Sequence, residues 1–342
     1  MRFATYAEAG SADHGTTDHG TTDHGTTDHG GTARAGVVSD AGIHPLPADV
    51  TVLDLVRAGL PAALAAGRAA LGRPAVPLAA VRLLPPVEAP TIRDFVAFEE
   101  HVEGMAAGGG GTVPAPWYQA PTFYFTNPYA LIGAHDDVPV PPGCQLLDYE
   151  LEVAVVVGQD GASLSPEQAR EHVFGYTVFN DWSARDLQRR EMNVHLGPAK
   201  GKDFATTLGP WLVTADELES YRDSDGFLGL DLRASVNGEL TGHDLLSNMG
   251  WPFEELIAYA SRGAHVRAGD VLGSGTCGNG GCLAELWGRS GTMEPPPLRP
   301  GDVVELTVEG IGSVRNRVVE GITLPPVREA RHRSVPLVRK RG

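Results

Sequence analysis

Three short stretches carry side chains whose type and spacing could do chemistry. The first is DYELEVAVVV, residues 148–157, where the run after Glu152 is as apolar as a buried strand. Side chains alternate faces along a strand, so Glu150 and Glu152 point the same way, roughly 6–7 Å apart. Two neighbouring carboxylates in a dry setting repel each other and lose hydration. A bound cation removes both penalties. Without one, truncating either glutamate should relieve the repulsion and leave the metal-free fold as stable or more so. The plain alternative is a pair of acids on the solvated face of an edge strand.

The second stretch is GYTVFNDWSARDLQ, residues 175–188. A strand over 176–179 runs into Asn180 and Asp181, and a helix is expected to follow. Asp181, Arg185 and Gln188 then fall at i, i+4 and i+7 on one helical face. Ordinary capping by Asn180 or Asp181, with Arg185 in a surface ion pair, gives the same pattern. The third is TIRDFVAFEEHV, residues 91–102. Thr91 and Asp94 match a capping box in its Asp form, which predicts a helix from this point. Phe95, Phe98 and Val102 mark its core face, and Asp94 and His101, seven apart, share a stripe beside it. A histidine at such a margin is either a proton shuttle or a satisfied core residue. The run Gly108–Gly111 follows, and would let the helix move as a lid.

The elements that must hold these residues read as a mixed, strand-rich α+β fold. From Thr91 onward short strands outnumber helices and Gly/Pro turns are frequent. There is no regular strand–helix alternation and no GxGxxG opening a helix, which excludes a doubly wound nucleotide-binding fold. Near the start, a strand over 2–6 and another over 34–38 form a hairpin around the repeat DHGTTDHGTTDHGTTDHGGT, residues 13–32. The repeat has no apolar residue and is expected to be disordered. Closure entropy grows only logarithmically with loop length, so such an expansion is tolerated. Its recurring His and Asp could also bind metal, although a flexible tract is poorly preorganised for that. Residues 47–72 carry Ala- and Leu-rich helical patterning. The expected organisation is a small N-terminal domain over 1–72, a five-proline linker over 73–90 and a catalytic domain over 91–342.

The 342 residues suffice for a sizeable core, and 42% of them are apolar. A net charge of −16 argues against nucleic acid as a partner. Cys144, Cys277 and Cys282 are an odd count with no zinc-knuckle spacing, and are expected to be reduced structural thiols. No run of about 18 apolar residues is present and the first residues lack a signal-peptide core, so no membrane span and a cytoplasmic location are expected.

Taken in order, RDFVAFEEH, LLDYELEVA, FGYTVFNDWSARDLQ, GPAKGKDFATTLGPW, GDVLGSGT and CLAELW resemble the fumarylacetoacetate hydrolase family. The resemblance spans roughly residues 91–325 and, more faintly, the N-terminal hairpin. LGPAKGKDF is closer to the longer fumarylacetoacetase branch than to the short acylpyruvase branch. The resemblance implies a β-roll catalytic domain, and a metal held by Asp94, Glu150, Glu152 and Asp181. An all-oxygen set of this kind suits Mg²⁺ or Ca²⁺, with Mn²⁺ as a third candidate. It further implies that His101 is the base and that Glu285 orients it. Arg185, Gln188 and Lys202 would hold substrate oxygens and developing negative charge, with Thr276 and Tyr124 as further substrate contacts. The implied reaction is hydrolysis of a carbon–carbon bond in a 1,3-diketo acid or acylpyruvate of aromatic catabolism, by a homodimer. Val96, where longer members often carry a tyrosine, the unaligned segment between Val102 and Tyr118, and the short N-terminal region depart from the pattern. Two alternatives stay open: a 2-oxo acid decarboxylase or dienoate isomerase on the same fold, and a non-enzymatic metal-binding or interaction protein acting through the repeat.

Overall fold

An unbroken apolar strand must be covered on both faces, and Leu151–Val157 is buried along its whole length. In the computed structural model, which describes residues 1–8 and 32–332, this strand lies inside an 11-stranded sheet. The order runs Gly42–Pro45, Arg34–Ser39, Arg2–Glu8, Thr206–Thr214, Val173–Asp181, Leu151–Val157, Val271–Gly273, Ile92–Phe95, Phe123–Thr126. Period-two alternation decides what each residue packs against. Val153, Val155 and Val157 point into one core, shared with Leu232, Leu306 and Val314 of a five-stranded sheet. Ala154 and Val156 point into a second core with Phe3, Val52 and Val56, under the N-terminal helices Val52–Ala58 and Leu60–Ala70. These two helices fill the stretch patterned as helical. Thr51 and Asp54 cap the first reciprocally, and Pro61 opens the second. The fold is thus the strand-rich α+β arrangement that the sequence predicts.

The predicted N-terminal hairpin is present, with Phe3 opposite Val37 and Tyr6 opposite Arg34. It is hydrogen-bonded into the same sheet as the strands that carry Glu152 and Asp181, through Arg2 opposite Val213. Within the proline-rich stretch read as a linker, VRLL forms the strand Val81–Leu84 and pairs with Arg2–Glu8. The repeat expected to be disordered lies, except for Thr32, outside the described residues. Among the described residues no helix is long and apolar enough to cross a membrane, and the three cysteines are free and buried.

Two local expectations are corrected. TIRDFVAFEEHV is not one helix. Ile92–Phe95 is a strand, parallel to Val271–Gly273 with Asp94 opposite Gly273, and only Glu99–Ala107 is helical. The reason is tertiary: this strand is buried on both faces between two partners, and its backbone bonds go to them instead of to a helical turn. Asp94 and His101 therefore share no helical stripe. Likewise Asp181 ends the strand Val173–Asp181, opposite Thr206, and the helix begins only at Arg185. Arg185 and Gln188 share a helix, and Asp181 stands apart on the sheet, where it meets Lys202 and Tyr124.

Candidate active site

The register of the central strands collects acids at one end of the sheet. Glu152 sits opposite Phe179 and Asp181 opposite Thr206, while Asp94 lies opposite Gly273 on the other side of the Glu152 strand. Glu150 precedes the same strand, its N–H donating to Asn180 Oδ1 at 2.9 Å. Carboxylate oxygens of Asp94, Glu150 and Asp181 all lie within 4.8 Å of one another. Glu152 flanks them and accepts from Gly275 N–H at 3.0 Å and from Thr276 Oγ1 at 3.4 Å. A side chain at Gly273 has no room, since its Cβ would fall 2.5 Å from Asp94 Oδ1 and 3.0 Å from Glu152 Oε2. All four carboxylates are at most 4% exposed.

Burial splits their electrostatics. Asp94 is pushed up to about 8 by desolvation and then by the charge of Asp181. Desolvation and Asp94 raise Glu152 well above the carboxylate range, and desolvation raises Asp181. Glu150 goes the other way. Burial opposes its charge, but Lys202, Arg185 and His101 outweigh this and hold it at about 2. Arg185 Nη1 lies 2.8 Å from Glu150, and Lys202 Nζ pairs with Glu150 and lies 2.7 Å from Asp181. Tyr124 donates to Asp94 at 2.8 Å and also to Asp181. Asp94 Oδ1 and Asp181 Oδ1 are nevertheless buried with no hydrogen-bond partner among the described residues. Orphaned oxygens in an all-carboxylate set fit a hard divalent cation, which would satisfy them and let every member ionise.

His101 approaches from the helix Glu99–Ala107. Its Nδ1 lies 3.8 Å from Glu285 Oε2, near the start of the helix Leu283–Ser290. Glu285 is fully buried, and accepts from Asn279 N–H at 3.0 Å and Arg289 Nε at 3.0 Å. The two helices cross at glycines. A Cβ at Gly104 would fall 2.3 Å from Glu285 Cγ, and one at Gly288 would fall 2.1 Å from the Gly104 carbonyl oxygen. Helix and acid are thus held together by close backbone approach.

These groups surround a cavity of about 370 Å³, lined by Asp94, His101, Tyr124, Glu150, Glu152, Arg185, Gln188, Lys202 and Thr276. Of the residues singled out in the sequence, only Asp181 and Glu285 do not line it. The first contacts Lys202 and Tyr124, and the second stands beside His101. A wider cavity of about 620 Å³ adjoins it, sharing Met105, Arg185, Gln188 and Met192 and adding Trp287 and Met293.

Three neighbours escaped the sequence reading. Asp148 accepts a hydrogen bond from Arg185 Nε at 2.9 Å, forms an ion pair with its Nη2 at 2.8 Å, and also accepts from the Leu283 and Ala284 N–H groups at the start of the Glu285 helix. It fixes the arginine and the helix at once. Its period-two spacing with Glu150 and Glu152 was the available signal. Arg289, at i+4 from Glu285, was readable in the same way. Cys282, whose Sγ lies 3.9 Å from His101 Nδ1, offered no local signal.

Comparison with known proteins agrees with this geometry. The family model described as "Fumarylacetoacetate (FAA) hydrolase C-terminal" matches residues 91–319. Oxaloacetate tautomerase YisK of Bacillus subtilis (strain 168) is 31% identical over 247 residues, covering 70% of this chain and 74% of that protein. A fumarylacetoacetase of Arabidopsis thaliana is 30% identical over 254 residues, covering 60% of each chain. Among solved structures, the fumarylacetoacetate hydrolase of the psychrophile Exiguobacterium antarcticum superposes with TM-score 0.65 at 25% identity, over 94% of this chain and all of that one. With a family model matched over residues 91–319, relatives at 30–31% identity and the same fold, the chain belongs to the fumarylacetoacetate hydrolase family of enzymes.

Proposed function

We propose that the protein is a metal-dependent hydrolase that cleaves a carbon–carbon bond next to a ketone in a 1,3-diketo acid or acylpyruvate, working as a homodimer. The observation that supports it best is the buried His101–Glu285 pair, with His101 lining the same cavity as the carboxylate cluster and Lys202. Asp94, Glu150, Glu152 and Asp181 would hold the cation, with Mg²⁺ the first choice, Ca²⁺ next and Mn²⁺ third. When bound, it supplies Lewis acidity to the two ketone oxygens and neutralises charge on the departing fragment. His101 takes a proton from water, with Glu285 beside its ring to orient it. The hydroxide so formed attacks the carbonyl carbon. Lys202, Arg185 and Gln188 stabilise the oxyanion, and as it collapses the carbon–carbon bond breaks, its electron pair leaving as an enolate that takes up the proton held on His101. Thr276 and Tyr124 line the substrate's flanks. The test is turnover of fumarylacetoacetate, fumarylpyruvate, acetylpyruvate and oxaloacetate with Mg²⁺, followed by NMR in H₂¹⁸O. Two carboxylic acid products, one carrying ¹⁸O from solvent, are expected.

A second reading is keto–enol tautomerisation, favoured by the 31% identity to a protein named as an oxaloacetate tautomerase. In that case His101 would move a proton on carbon and no bond to water would form. Interconversion of enol and keto forms with no cleavage of any of the four substrates would replace the first reading by the second.

A further inference from the structure

Beside the carboxylate cluster, and sharing Glu150 with it, lies a ligand set of different chemistry. One ligand atom each from His101, Glu150 and Cys282 lie within 4.8 Å of one another, and all three residues are buried. Cys282 Sγ is 3.9 Å from His101 Nδ1 and accepts from Glu285 N–H at 3.4 Å, capping the helix Leu283–Ser290. In tetrahedral zinc, sulfur at about 2.3 Å and nitrogen at about 2.0–2.1 Å stand about 3.6 Å apart. The observed separation closes to that with a small side-chain rotation. The proposed hydrolysis makes no use of the Cys282 thiol.

We propose that Cys282, His101 and Glu150 form a soft-metal site for Zn²⁺, adjoining the carboxylate site and bridged to it by Glu150. Hardness selects the ion. Mg²⁺ prefers oxygen and leaves the thiol alone, whereas Zn²⁺ takes thiolate, imidazole and carboxylate together. Burial keeps the thiol protonated until a thiophilic cation displaces the proton. The zinc–sulfur bond forms as that proton leaves to solvent, and the fourth position stays open to water. Arg185 and Lys202 oppose a second cation, but each already divides its charge between Glu150 and a second acid, Asp148 and Asp181 respectively.

Occupancy has a direct consequence for His101. A neutral imidazole that holds a metal on one nitrogen carries its proton on the other, so it has no lone pair left to accept a proton. Zn²⁺ is then a reversible inhibitor of the Mg²⁺ enzyme. This consequence rests on His101 being the base, as proposed above, while the metal site itself does not.

Cobalt reports the site without turnover. Co²⁺ is titrated into the full chain in excess Mg²⁺, and thiolate-to-cobalt charge-transfer absorption is followed in the near ultraviolet. A band that saturates near about one equivalent and is bleached by Zn²⁺ is expected. It should vanish in Cys282→Ser, where the serine oxygen can still cap the helix, and weaken in His101→Ala. The Zn²⁺ concentration that halves turnover should rise about ten-fold or more in Cys282→Ser, each protein normalised to its own zinc-free rate. Absence of the band in the unmodified protein, or its survival in Cys282→Ser, overturns the site. A protein that turns out not to be a hydrolase still shows the band, so failure of the functional reading is distinguishable.

Discussion

At the scale of single residues, the four acids are not equivalent. Glu150 is paired with Arg185 and Lys202, whereas Glu152 faces Asp94 and no cation. The expectation that removing either glutamate relieves repulsion therefore holds for one only. Glu150→Ala strips a counter-charge from two buried cations and should cost on the order of 3 kcal/mol in metal-free protein. Glu152→Gln should be close to neutral. Thermal unfolding in EDTA measures the difference, and equal destabilisation of the two variants would contradict it. Both should lose Mg²⁺ binding by calorimetry, and chelation of the unmodified protein should abolish turnover until Mg²⁺ or Mn²⁺ is restored. His101→Ala should lower kcat by roughly 10²–10⁴-fold, with Mg²⁺ affinity nearly unchanged. Glu285→Gln should act in the same direction and the double variant be little worse than His101→Ala, since the pair works as a unit. Normal hydrolysis by His101→Ala would refute the mechanism and leave the metal site standing. Only Glu150 and Glu152 stand out in the sequence by themselves, because acids beside an apolar run are anomalous; Lys202, Thr276, Tyr124 and the roles given to His101 and Glu285 rest on the family resemblance. What was not legible was which acid carries the cations, since that depends on Lys202 arriving from 52 residues away.

At the scale of elements, the expected strands are found where an apolar run is unbroken, as in Leu151–Val157, and at the N-terminal hairpin. Reading failed at 91–95 and at Asp181, where local capping signals compete with pairing to strands distant in sequence. The Gly108–Gly111 run suggested a mobile lid. The His101 helix packs against its neighbour just before that run, where Gly104 and Gly288 let two backbones touch. The contact brings the helix of His101 against the helix of Glu285. Gly288→Ala puts a methyl against the Gly104 carbonyl, and overpacking of this kind costs about 1–3 kcal/mol. The helices should part, so kcat should fall while Mg²⁺ affinity stays, because the metal carboxylates belong to the sheet and its approach, not to these helices. Unchanged kcat with a lowered melting temperature would show that the crossing is structural and does not position the pair.

At the scale of the molecule, the large sheet unites segments that the sequence reading kept apart. The strand Arg2–Glu8 lies between the hairpin partner and Thr206–Thr214, next to the strand that ends in Asp181. Damage to the N-terminal segment should therefore reach the active site, but the repeat should not. The flanking strands are in register as far as Tyr6 opposite Arg34, so the ladder is complete without residues 13–32. Deleting those residues leaves residues 9–12 and Ala33 to close the turn, enough for a hairpin loop. Shortening the connection from about 25 residues to about 5 lowers the closure cost by roughly 1.4 kcal/mol. The truncated protein should melt no lower than the full chain, keep its kcat and Mg²⁺ requirement, and keep the dimeric mass proposed for the full chain in light scattering. If the truncated protein folds and assembles normally yet loses turnover, the His and Asp of the repeat serve the reaction, and the reading of residues 13–32 as an expanded loop is wrong.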